Sequence, residues 1–193
     1  SEMCIRDRNK DDKFHRSYNE KNWRILPRQA VHDSSSVTYP VFTAIAAPEV
    51  QNKLNGDFAI IAGPYLQNLA TGGCELDYTL TFVSEKFISM VFFGVLDEGE
   101  KEIFAKIPLN IDVQTGAQLA LGDVLNLRDA DLLPVLRLLT KKDMVDFSKG
   151  IPESWYYNGT NFVFCQRSET GEWLEATVAA SDLKKFLLKP ELF

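Results

Sequence analysis

An α+β fold, an antiparallel sheet packed against two or three helices, is predicted by three features of this sequence. Residues 101–125 read KEIFAKIPLNIDVQTGAQLALGDVL, with Ile103, Ala105, Ile107, Leu109, Ile111 and Val113 alternating against Glu102, Lys106, Asn110 and Asp112. That period of two is the mark of a half-buried strand. Val50, Leu54, Phe58, Ile61, Tyr65 and Leu69 recur at spacings of three and four, which makes one apolar face of a helix. Short connections at Ser84–Lys86, Asp97–Glu100 and Thr115-Gly116 join consecutive strand-like runs, the pattern of an antiparallel meander.

The 193 residues suffice for one domain with a substantial core. The charge is uneven. Residues 1–36 hold eight Lys/Arg against six Asp/Glu, and residues 37–193 hold thirteen against twenty-one. So acidic a body repels phosphate backbones, and nucleic acid is excluded as a partner. Cys4, Cys74 and Cys165 show no metal spacing and no C-x-x-C. A Cys74–Cys165 disulfide and two buried thiols both fit, with buried thiols the favoured reading. No apolar run reaches the ~18 residues of a membrane span.

Residues 1–36 are read as an artefactual or disordered segment and linker, and residues 37–193 as a single domain. Ser1 to Arg8, SEMCIRDR, resembles the translation of a sequencing adapter at the end of a metagenomic read. On that reading Cys4 is foreign, and the native start, with any signal or membrane anchor, is missing. Asn9 to Asn22 is a polar tail. Trp23, Ile25 and Leu26 begin a first strand before Pro27, and Asp33 to Ser36 is a turn.

Val37 to Ala44 is a β-branched and aromatic strand, and Pro40 within it predicts an edge or a bulge. Pro48 opens the helix, Gly63-Pro64 is expected to kink or break it, and Gly72-Gly73 ends it. Leu76, Tyr78, Leu80 and Phe82 alternate with polar residues as the next strand. Phe87 to Leu96 is apolar on both faces, a central strand covered by a helix on one side. After the Thr115-Gly116 hairpin, Asp129 or Asp131 caps a helix through Leu139. Asn158-Gly159, a preferred type I′ turn, joins Trp155–Tyr157 to Phe162–Gln166. Trp173 to Val178 is the last strand, and Ser181 is expected to cap a final helix.

From Val37 onward the order of elements resembles a bacterial extracytoplasmic domain of unknown function. That domain is found in sigma-V-type anti-sigma factor sensor regions and beside peptidoglycan polysaccharide deacetylases. The resemblance rests on a Tyr-Pro strand (Tyr39, Pro40) and a helix with an apolar-Asn pair (Leu54, Asn55). It rests further on the signature Asn110, Asp112, Thr115, Gly116, Leu119, Leu121 and Asp123. These are expected to be structural residues. Asp112 accepts from turn amides, Gly116 supplies a positive φ, and Asp123 caps the turn that follows. A glycine-rich, histidine-bearing loop of the family is replaced here by Asp97 to Lys101, DEGEK, so no ligand role carries over from it.

No catalytic, cofactor or metal site is expected. His15 and His32 lack partners at zinc-ligand spacing, and no G-x-S-x-G, S-x-x-K or phosphate-binding glycine loop is present. The candidate partner surface is Trp155, Tyr156 and Tyr157, where alternation sends one or two rings outward, against the simpler reading of a core strand. The resemblance implies a non-enzymatic binding, sensor or accessory domain of the bacterial cell envelope. Its partner would be a protein or a cell-wall polymer, and it would meet a membrane only through a missing N-terminal anchor. The alternative is a hydrolase of envelope polysaccharide or peptidoglycan, with carboxylates around Asp97, Glu98 and Glu100.

Overall fold

A two-residue turn at Asp33-Ser34, with Asp33 at φ 50°, folds β2 (Arg24–His32) back on β3 (Ser35–Thr43). The computed structural model describes residues 15–19, 23–97, 99 and 101–193. The boundary expected at residue 36 falls inside this hairpin. Trp23 and Ile25 are buried in the main core, because their apolar side chains face the helix that follows, so residues 23–36 belong to the domain. Ser1 to Arg8, Cys4 among them, lie outside the described residues. Tyr18, in β1 (Tyr18–Asn19), packs its ring 4.8 Å from that of Trp23.

The predicted α+β class is found. α1 (Pro48–Asn68) carries the chain from β3 to β4 (Cys74–Val83), which pairs with β3 in parallel at Ser36–Glu75 and Val37–Leu76. β5 (Phe87–Asp97), β6 (Glu102–Asp112) and β7 (Ala117–Gln118) follow as the antiparallel meander, and the seven strands stand in sequence order. This parallel pairing is the consequence of the helical crossover.

β3 and β4 separate after Val37, and the gap has two remedies. Asn55 on α1 clamps Phe42, accepting from its N–H at 2.7 Å and donating to its C=O at 3.0 Å. His15 lies against the freed stretch of β4 and accepts from the Leu80 N–H at 2.7 Å. Pro40, which has no N–H to place, sits in this separated stretch of β3.

α1 buries Leu54, Phe58, Ala62 and Tyr65 against one face of the sheet. It runs through Pro64 without the expected break. Proline here removes only the bond to the Ile60 carbonyl, and Ile60 and Pro64 are both on the solvent side. Gly94 lets α1 approach closely, since a Cβ there would collide with the Tyr65 hydroxyl.

The opposite face of β5 and β6 meets a second core. It is built from α2 (Leu121–Val124), α3 (Leu132–Leu139) and a three-stranded antiparallel sheet in the order β10-β9-β8. Those strands are β8 (Ser154–Tyr157), β9 (Asn161–Arg167) and β10 (Trp173–Ala179). Asp131 takes the N-cap position of α3 without a side-chain cap bond. The expected final helix is a 3-10 segment, Ala180–Phe186, with Ala179 rather than Ser181 at its N-cap. Leu183 and Phe186 dock it.

Candidate functional site

The Asn110 and Asp112 positions lie at the junction of the two sheets. Direct pairing puts Ser89 on β5 opposite Asn110 on β6, both on the face turned to the small sheet. The Ser89 hydroxyl donates to Asn110 Oδ1 at 2.7 Å and accepts the Tyr157 N–H at 2.8 Å. Asn110 Nδ2 donates to the Trp155 C=O at 2.7 Å. Trp155 and Tyr157 lie on β8, an edge strand of the small sheet, so two buried side chains take its outward main-chain groups where a strand otherwise would.

The hairpin beyond is fixed by three residues. Asp112 Oδ1 accepts from the Gln114 and Thr115 N–H groups at 2.9 and 3.3 Å. Gly116 stands at φ 67°. Asp123 Oδ2 accepts from the Ala120 N–H at 2.8 Å, which secures the first turn of α2. Leu119 and Leu121 enter the second core.

The candidate surface at residues 155–157 needs correction. Trp155 and Tyr157 are core residues, 2% and 4% exposed. The Trp155 ring stacks 6.4 Å from Phe87 and 5.4 Å from Phe162, and the Tyr157 ring sits edge-on 5.0 Å from Phe82. Alternation leaves one ring, that of Tyr156, turned outward, because β8 points its odd residues toward the second core.

Tyr156 faces the other way, into a polar cluster that sequence reasoning missed. Its hydroxyl donates to Glu175 Oε1 at 3.0 Å, Lys106 forms an ion pair with the same oxygen, and the ammonium lies 5.6 Å from the centre of the Tyr156 ring. Cys165 Sγ is 3.9 Å from that carboxylate. Burial, then the Glu175 charge, raises the Tyr156 phenol far above its ordinary value. Burial pushes the Cys165 thiol up to about 12, against the pull of Lys106. Both groups therefore hold their protons at neutral pH, and the thiol is no nucleophile there. The cluster joins residues distant in sequence, and only the alternation of Lys106 and Glu175 on their own strands hinted at it.

A cleft of about 220 Å³ opens where β7 ends, lined by Pro108, Asn110, Gln118, Leu119, Glu153 and Ser154 among others. Its chemistry is that of amides, a hydroxyl, one carboxylate and apolar walls. Of the carboxylates considered for hydrolysis, Glu98 and Glu100 lie outside the described residues. Asp97 accepts from the Gly99 N–H at 2.8 Å within its own turn. Cys74 and Cys165 are buried free thiols. Among the described residues no group of three or more His, Cys, Asp or Glu is placed to hold a metal, and no helix is long and apolar enough to cross a membrane.

No protein-family model matches the chain, and no curated protein matches it. Solved structures do. A DUF3298-family protein from Bacteroides fragilis superposes with a TM-score of 0.61 at 11% identity, over 90% of this chain and 95% of that one. A DUF3298-family protein from Pseudomonas aeruginosa gives 0.57 at 12%, over 90% and 97%. Identities this low carry the fold alone, without an anti-sigma or deacetylase setting. The chain has the α+β fold of these bacterial domains of unknown function.

Proposed function

We propose that this chain is a non-catalytic, extracytoplasmic binding domain of a bacterial envelope protein, and that it recognises a protein or cell-wall partner through the cleft between β6, β7 and β8. The observation that carries this reading is the make-up of that cleft. At about 220 Å³ it is smaller than the ~300 Å³ lower end of small-molecule sites, so it fits one unit of a longer polymer. Gln118, Glu153 and Ser154 offer hydrogen bonds along its wall, and Pro108 and Leu119 offer apolar contact, which suits a sugar ring with a peptide attached.

Calorimetric titration with soluble peptidoglycan fragments tests the reading. Saturable binding is expected, weakened about 5-fold in Gln118→Ala and in Glu153→Ala, the equivalent of ~1 kcal/mol per lost hydrogen bond. Unchanged affinity in both variants removes the cleft from the account. Turnover of the polymer that disappears in Glu98→Gln with Glu100→Gln would replace a binding domain with the hydrolase alternative.

A further inference from the structure

The seam leaves the Trp155 N–H over. The Asn158 N–H donates to the Asn161 C=O, so strand alternation turns the main-chain groups of Tyr156 and Ser154 toward β9 and those of Tyr157 and Trp155 away from it. Asn110 takes the Trp155 C=O, and Ser89 takes the Tyr157 N–H. The Trp155 N–H points to the same side as its C=O, and among the described residues no strand pairs with that side of β8.

A matching acceptor stands on β6. The Leu119 N–H donates to the Asn110 C=O on the side away from β5, so Pro108 turns its own C=O to that side as well. The register of β7, Ile111 with Gln118 and Asp112 with Ala117, would carry Leu121 opposite Pro108. Leu121 opens α2 instead. Proline has no N–H, so this point of the β6 edge presents a carbonyl alone. Pro108 and Trp155 both line the cleft at the end of β7.

We propose that the cleft binds a trans secondary amide, its N–H donating to the Pro108 C=O and its C=O accepting from the Trp155 N–H. A trans amide carries its donor and its acceptor on opposite sides. The two strands are matched to that: β6 offers an acceptor without a donor, and β8 offers a donor whose companion C=O is already held by Asn110. Glu153 is the one charged residue of the lining, so a neutral group suits the cleft and an anion does not. The inference rests on the reading of the cleft as a site for one unit of a cell-wall polymer. Peptidoglycan holds such an amide in two places, the acetamido group of its amino sugars and the peptide bonds of its stem.

Amide hydrogen exchange followed residue by residue by NMR tests this on the full chain, free and saturated with each of two pairs of probes. One pair is tri-N-acetylchitotriose and its de-N-acetylated form. The other is a stem tetrapeptide and its analogue with esters in place of amides. In the free protein the Trp155 amide should exchange about 10-fold or more faster than that of Tyr157, which Ser89 holds. Slow exchange at Trp155 would mean that its N–H already has a partner, and overturns the proposal. A probe that supplies the amide should slow Trp155 about 10-fold or more. Protection by the acetylated sugar and not by its de-N-acetylated form assigns the acetamido group. Protection by the tetrapeptide and not by its ester analogue assigns a peptide bond. Equal protection within a pair overturns the proposal, because cover without an amide then suffices. Heat of binding with Trp155 unchanged overturns the amide contact and leaves a binding domain standing. No binding of any probe removes the cell-wall reading of the cleft and this proposal with it.

Discussion

β8 is the edge of the small sheet, β6 is left uncovered along most of its length by the two-residue β7, and the two strands treat their outward main-chain groups in opposite ways. On β8 the Trp155 C=O and the Tyr157 N–H turn away from β9, and both are held by side chains, Asn110 and Ser89, which are 4% and 0% exposed. On β6 the outward groups from Glu102 to Lys106 meet no strand among the described residues, and Glu102 to Phe104 there are exposed to water. The difference is one of burial. A main-chain group shut away from water costs ~1–3 kcal/mol if left unpaired, whereas an exposed one is hydrated. The buried edge had to be closed by dedicated polar side chains. The exposed edge did not, which leaves it available to another strand.

The sharpest way to break this contrast is Asn110→Leu. It strips the Trp155 C=O of its donor and the Ser89 hydroxyl of its acceptor inside the protein. A loss of about 2–5 kcal/mol in denaturant unfolding is expected. A loss below ~0.5 kcal/mol would mean the seam does not hold the small sheet. Gly116→Val acts at the point where β7 begins its short cover of β6. The residue stands at φ 67°, and a Cβ there comes within 3.2 Å of Val50 Cγ1, so about 1–3 kcal/mol should be lost. Unchanged thermal stability would show that the turn relaxes. Ser89→Ala is the milder cut across the same seam, at about 1–2 kcal/mol, because the Asn110 bond to Trp155 survives.

The smallest effect concerns the cluster beside the seam. Cys165 has its pKa pushed up to about 12 from an ordinary 9.0, so the fold favours the protonated thiol. Its contribution to stability is whole below about pH 9 and is lost as pH rises from there toward 12. Alkylation by iodoacetamide at pH 8.5 should therefore be slow in the native protein and fast in denaturant. Equal rates in the two states would place the thiol in water.

The strands were legible in the sequence because period-two alternation is a local signal, and α1 was legible from its apolar stripe. Gly63-Pro64 misled. Local chemistry says that proline breaks a helix, but the orphaned Ile60 carbonyl lies on the solvent side, which only the folded chain decides. Trp155 and Tyr157 misled for a related reason. Alternation separates two faces without saying which is buried, and Phe82, Phe87 and Phe193, which claim those rings, come from distant parts of the chain. The Lys106–Tyr156–Glu175 cluster joins three strands and had no local signature. Asn110 stood out through resemblance, yet its role as the closing group of another sheet's edge needed the packing of β8.

The most direct test of the seam is native-state hydrogen exchange at the Tyr157 amide. Among the described residues no strand pairs with this N–H, so its protection depends on the Ser89 hydroxyl 2.8 Å away. The account predicts exchange as slow as that of ladder amides in β9, and a selective loss of protection at Tyr157 in Ser89→Ala while β9 stays protected. Fast exchange in the unaltered protein, or protection at Tyr157 that survives the substitution, would contradict it.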